Sequence, residues 1–158
     1  MPLWITVTGP KKAGKTSTIE ALIPYLKDCG WRVATVKRAW RPHGFDTPGK
    51  DTWRHRQAGA ARVAMIGPGT GAFFAYDADE ARLEGQAREF LGDCDVVLEE
   101  GFRDSRFPTI IVEGDEPLGD CHGPVIVSFR PLARPGRNSA VPREVLEKVQ
   151  RFIQDHQP

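Results

Sequence analysis

The sequence predicts an α/β fold with a mostly parallel sheet and a β-hairpin extension, on three observations. Short apolar β-prone runs alternate with helical patterns, the first sixty residues read strand, loop, helix, strand, and two later β-prone runs flank a Gly-Pro-Gly turn. At 158 residues the chain is expected to form a single domain, 1–158, since domains average roughly 150 residues. Hydrophobic residues at 40% and charged residues at 27% are ordinary globular usage and exclude intrinsic disorder as the main state.

Leu3-Trp4-Ile5-Thr6-Val7 is a short apolar run ending at Gly9, which reads as a buried first strand. Ile19, Leu22, Ile23 and Leu26 then recur at i, i+3, i+4 and i+7, so they share one helical face, and Gly30 supplies a stop. Pro24 lies inside that helix and is expected to kink it. Arg32 to Val36 is the second strand, and strand-helix-strand in this order makes a parallel βαβ unit.

Residues 38–50 carry no period and form a long loop, after which Asp51 is expected to cap a short helix closed by Gly59. Arg62 to Ile66 and Ala72 to Tyr76 are two strands joined by the Gly67 to Gly71 turn. Leu83, Ala87, Phe90 and Leu91 mark an amphipathic helix, with Asp77 and Glu80 at capping-box spacing. Asp95 to Glu99, Thr109 to Val112 and Val125 to Phe129 are further strands. A last helix starting at Pro142 presents Val145, Leu146, Val149, Phe152 and Ile153 to the core.

Charge and cysteine usage narrow the function classes. The net charge is +1, so no global field draws the chain to nucleic acid or to a membrane surface. Locally the balance is uneven: Val36 to Arg62 sums to +5 and Asp77 to Glu100 to −7. No apolar run approaches the ~18 residues of a membrane span. The start lacks a basic segment ahead of an apolar block, so no export signal is expected. Cys29, Cys94 and Cys121 are odd in number and widely spaced, which points to a reducing cytoplasm rather than a disulfide framework or a zinc site.

The chemistry is concentrated in the first loop. Gly9-Pro10-Lys11-Lys12-Ala13-Gly14-Lys15-Thr16 satisfies G-x-x-x-x-G-K-S/T, follows a predicted strand and opens a predicted helix. Backbone N–H groups of such a loop converge on a polyphosphate, and its glycines allow an approach that a side chain would obstruct. The expected roles are phosphate binding by Gly9 to Ser17, a reach to the β and γ phosphates for Lys15, and a Mg²⁺-ligating hydroxyl for Thr16. The fold class is accordingly a P-loop NTPase-like three-layer arrangement.

A metal on the triphosphate requires an acid at the end of a neighbouring strand. Asp95-Val96-Val97-Leu98-Glu99-Glu100-Gly101 supplies two carboxylates, only one of which can face the metal because adjacent strand residues point to opposite faces. Glu100 is the candidate, either holding Mg²⁺ or positioning a water. The loop after the second strand leaves the sheet at the rim where α/β proteins bind ligands. Asp46 is therefore a candidate metal contact, and His43 and Lys50 are candidate phosphate or substrate contacts. Arg54, His55 and Arg56 form a basic cluster suited to a second anion.

Together the P-loop, Val36-Lys37-Arg38, Pro48-Gly49-Lys50-Asp51-Thr52, Arg54 to Ala60 and Glu100-Gly101-Phe102-Arg103 resemble the MobB family of molybdopterin-guanine dinucleotide biosynthesis adaptors, over about residues 3–112. The resemblance implies a mixed sheet, GTP and Mg²⁺ binding, weak GTP hydrolysis and a homodimer. It also implies association with the guanylyltransferase MobA and a supporting role in attaching GMP to molybdopterin. No Asn-Lys-x-Asp motif is present to read guanine, so a preference for GTP comes from the resemblance alone. Slow turnover fits the lack of an obvious arginine finger or water-orienting glutamine. Two other readings stay open on the residues: a small-molecule kinase with Asp46 or Glu100 as base, and a scaffold whose loop holds only inorganic anion.

Overall fold

The computed structural model describes residues 1–39, 45–76, 78–102, 104–132 and 140–157. Contacts divide the chain into two compact units, Met1–Trp40 with Leu91–Pro158, and Arg41–Phe90.

In the first unit the strands are β1 (Leu3–Thr8), β2 (Val33–Lys37), β5 (Val96–Glu100), β6 (Thr109–Val112) and β7 (Val125–Phe129). They form one sheet in the order β2-β5-β1-β6-β7, and every pairing is parallel. The strand bearing the P-loop is thus central. β5 is buried along its whole length, as expected of an inner parallel strand. Two helices pack on this sheet, α1 (Lys15–Asp28) and α4 (Arg143–His156). Their apolar faces, including Leu22 and Leu26 of α1 and Val149 and Ile153 of α4, join Ile5, Val7, Leu98 and Ile110 in one core. The Tyr25 hydroxyl donates to Gln150 Oε1 at 2.7 Å and ties the two helices together.

Helix α1 runs through Pro24 and ends on Gly30, whose φ of 93° is the left-handed conformation that glycine adopts without penalty. Gly30 N–H donates to Lys27 O and Trp31 N–H to Leu26 O, the paired bonds of a Schellman stop. At the start of α4, Pro142 is the cap residue and Arg143 the first helical one. The expected start is thereby one residue early.

The second unit contains α2 (Asp51–Gln57), the antiparallel strands β3 (Arg62–Gly67) and β4 (Thr70–Ala75), and α3 (Glu80–Phe90). The hairpin turn is Pro68-Gly69 alone, shorter than the five-residue turn expected. Gly69 takes a φ of 70°, and Pro followed by a positive-φ Gly is what a type II turn requires. The capping of the two helices also differs from expectation. Lys50, not Asp51, is the cap residue of α2. In α3 the Asp79 carboxylate accepts the Arg82 N–H at 2.8 Å, because the helix opens at Glu80 and the residue just before it is placed to cap. Asp77 lies outside the described residues. No residue of α3 is buried, although Phe90 meets Phe73 with ring centroids 6.0 Å apart. A unit this small around a two-stranded sheet has little interior to offer that helix.

Candidate functional site

The loop between β1 and α1 takes its shape from three unusual backbone positions. Lys12 has a φ of 64°, left-handed for a non-glycine residue, and Gly14 caps the helix at 101°. Alternation of right- and left-handed residues turns successive N–H groups inward and makes an anion-binding concavity. The third is Gly9. Its backbone passes so close to the end of β6 that a Cβ there would overlap the Val112 carbonyl oxygen.

Lys15 folds back over this loop, its Nζ donating to Pro10 O at 2.7 Å and to Gly9 O at 3.0 Å. The ammonium therefore sits at the loop it is expected to serve. Thr16, the next residue, donates its hydroxyl toward the Glu100 carboxylate, with Oγ1 3.2 Å from each oxygen. Glu100 is itself 8% exposed and also receives Lys37 Nζ at 3.3 Å. The parallel register explains both meetings. Lys37 and Val7 flank Glu100 across β2 and β1, so the three strands end at one rim.

Glu99 is turned the other way. It is buried, and its Oε1 accepts the Thr6 hydroxyl at 2.6 Å; Thr6 Oγ1 in turn lies 2.7 Å from Ser105 Oγ. Thr6 has one hydroxyl proton, which goes to the carboxylate as the stronger acceptor and leaves Ser105 to donate to Thr6. Gly101, at φ 90°, lets the chain leave β5 past the Arg38 carbonyl, and a Cβ there would come within 2.7 Å of that oxygen. The Arg38 guanidinium rests over the Phe102 ring, 4.6 Å from its centroid.

A hydroxyl beside a carboxylate at the start of a P-loop helix is a hard-oxygen donor set, which fits Mg²⁺ shared with phosphate oxygens. Among the described residues no group of three or more His, Cys, Asp or Glu side chains converges to enclose a metal. Protein-only coordination is not what Mg²⁺ on a nucleotide requires.

Asp46 belongs to the other unit and has its own polar cluster. Oδ1 accepts the Thr52 hydroxyl at 2.7 Å and the Thr47 N–H at 2.9 Å, and Oδ2 accepts the Tyr76 hydroxyl at 3.2 Å. Burial and Asp46, through this hydrogen bond and its charge, together hold the Tyr76 phenol above its ordinary pKa; nearby Arg56 opposes them. Arg56 lies over the Tyr76 ring, 4.4 Å from the centroid, and Arg54 faces Asp51 at 3.9 Å. His43 lies outside the described residues. Spacing alone does not single out Lys37, since only the strand pairing shows that it stands at a strand end opposite an acid.

Residues 4–119 match the family model described as MobB, molybdopterin guanine dinucleotide synthesis protein B. The chain belongs to the MobB family. Membership is shown independently by the molybdopterin-guanine dinucleotide biosynthesis adapter protein of Haemophilus influenzae, 32% identical over 111 residues, which are 70% of this chain and 62% of the relative. The Escherichia coli adapter protein is 31% identical over 105 residues, covering 65% and 60% respectively. The chain thus spans about three fifths of these curated relatives. The fold agrees with a crystal structure of molybdopterin-guanine biosynthesis protein B at a TM-score of 0.69 and 24% identity, over 96% of this chain and 99% of that one. A Bacillus stearothermophilus MobB homolog superposes at 0.64 with 22% identity, over 99% and 100%. The MobB fold, a P-loop NTPase-like parallel sheet with an antiparallel hairpin, is the architecture described above.

Proposed function

We propose that this chain is a GTP-binding adaptor with slow GTPase activity that supports attachment of GMP to molybdopterin. Membership of the MobB family supports the pathway, and the names of the curated relatives describe biosynthesis adapters. The observation that carries the nucleotide reading is the meeting of Thr16 with Glu100 at the mouth of the loop that Lys15 covers.

In this reading the N–H groups of Gly9 to Ser17 bind the phosphates, and Lys15 leaves its loop carbonyls for the β and γ phosphate oxygens. Thr16 and Glu100 hold Mg²⁺, which when bound neutralises phosphate charge. Glu100 also orients a water, and Lys37 holds its carboxylate in place. Asp46, in the other unit, is assigned to holding its own loop through Thr47, Thr52 and Tyr76. Lys50 and the Arg54, His55, Arg56 cluster are assigned to an anionic partner or cofactor. The proposal includes a homodimer, cytoplasmic location, and association with the guanylyltransferase MobA and with molybdopterin. No described helix is long and apolar enough to cross a membrane.

Calorimetric titration of wild type and Lys15→Ala with GTP, with and without Mg²⁺, tests the nucleotide reading. Mg²⁺-enhanced binding by wild type that Lys15→Ala loses is the expected result. Equal weak binding by both proteins would overturn it.

A further inference from the structure

We infer that Asp115, held by Arg130, reads the guanine base of the bound nucleotide. The inference rests on the proposal that the P-loop binds a nucleoside triphosphate, and it supplies the base recognition for which the sequence has no familiar motif.

Topology fixes where the base must go. From β1 the chain crosses through α1 to β2 on one side of the sheet, whereas β6 and β7 are added on the other side. The carboxyl ends of β1 and β6 are therefore the point where strand order reverses, and open α/β sheets bind ligands in the crevice there. Direction along the crevice follows from the metal end. With Mg²⁺ held by Thr16 and Glu100, as proposed above, the terminal phosphate would lie toward β5 and the nucleoside would extend the opposite way, toward the first residues after β6 and β7.

The segment after β6 is built against the P-loop, and Arg130 is tied to that segment. Gly114 sits so tightly that a Cβ would lie 2.7 Å from Pro10 Cγ and 3.2 Å from Ala13 Cβ. Glu113 is committed to holding the loop, its N–H donating to Phe129 O and its carboxylate accepting the Ser128 hydroxyl at 2.7 Å. Arg130, the first residue after β7, reaches across to donate to Gly114 O at 2.7 Å and to Asp115 Oδ1 at 2.9 Å. The Asp115 side chain is 98% exposed, so apart from this clamp it faces solvent at the rim.

An exposed ion pair contributes little to stability. As a recognition element the same pair is well matched to one base. Guanine presents two neighbouring donors, the N1–H and the 2-amino group, which a carboxylate accepts together, and an O6 acceptor suited to a guanidinium. Adenine offers an unprotonated N1 to that carboxylate, and the like-signed contact rejects it.

The test measures affinities of GTP, ATP, ITP, XTP and inorganic tripolyphosphate for wild type, Asp115→Asn and Arg130→Ala in Mg²⁺. Wild type is expected to prefer GTP over ATP and over ITP, which lacks the 2-amino group, by about tenfold or more. Asp115→Asn should lose that preference and gain XTP, whose 2-oxo group accepts from the new amide. Arg130→Ala should reduce the preference by releasing the carboxylate. Tripolyphosphate should bind all three proteins alike. An unchanged GTP to ATP ratio in both variants overturns the inference while leaving the phosphate reading intact. Failure of wild type to bind tripolyphosphate or any nucleotide overturns both.

Discussion

The Thr16 hydroxyl oxygen lies 3.2 Å from both carboxylate oxygens of Glu100, although 84 residues separate them in the chain. Parallel pairing of β1 with β5 produces the contact, since it ends both strands at the same rim and sets the first turn of α1 beside them. Glu100 leans on Lys37 from the next strand, and Glu99 turns into the sheet toward Thr6. Two adjacent acids thus have separate tasks, one at the rim and one in the interior.

The interior pair is the more costly to break. Thr6→Val removes the hydroxyl that bonds the buried Glu99 and is expected to destabilise the fold by about 1–3 kcal/mol, the cost of leaving a buried polar group without its partner. In a Glu99→Leu background, which has no acceptor, the same substitution should cost less, with a coupling energy of about 0.5–3 kcal/mol in a denaturant double-mutant cycle. Strict additivity would show that the two side chains do not interact.

The rim pair behaves differently under substitution. The Lys37 side chain is 61% exposed, so its ion pair with Glu100 is screened by solvent. Lys37→Ala is expected to change unfolding stability by less than about 1 kcal/mol. A loss of twice that in a urea titration would mean that Lys37 supports the fold rather than orients the acid.

Tyr76 reports on Asp46. The folded phenol holds its proton to higher pH than the unfolded one, so in the alkaline range the unfolded state releases its proton first and stability falls as pH rises through about 10. Asp46→Ala removes the hydrogen bond and the negative charge and leaves only the effects of burial and Arg56. The Tyr76 resonance should then titrate at lower pH in an NMR series. An unshifted titration would contradict the contact.

The parallel sheet and the P-loop were legible because each has a local signature, a strand-length apolar run or a glycine pattern with a lysine. Glu99 and Glu100 were legible as a pair, and the pleat implied opposite faces. Lys37, Ser105 and Arg130 were not, because their partners are 63, 99 and 15 residues away and only strand order brings them together. Caps and turns moved by a residue or two, as where Asp79 caps α3. The exposure of α3 could not be read from its period, which marks an apolar face without telling whether anything covers it.

Whether Thr16 and Glu100 form the metal end of a nucleoside triphosphate site is decided by the GTP affinity of Thr16→Val and Glu100→Gln with Mg²⁺ and with EDTA. Both variants are expected to weaken Mg²⁺-dependent binding by about 10–100-fold while binding as wild type does in EDTA. Variants that gain as much affinity from Mg²⁺ as wild type does would contradict that role.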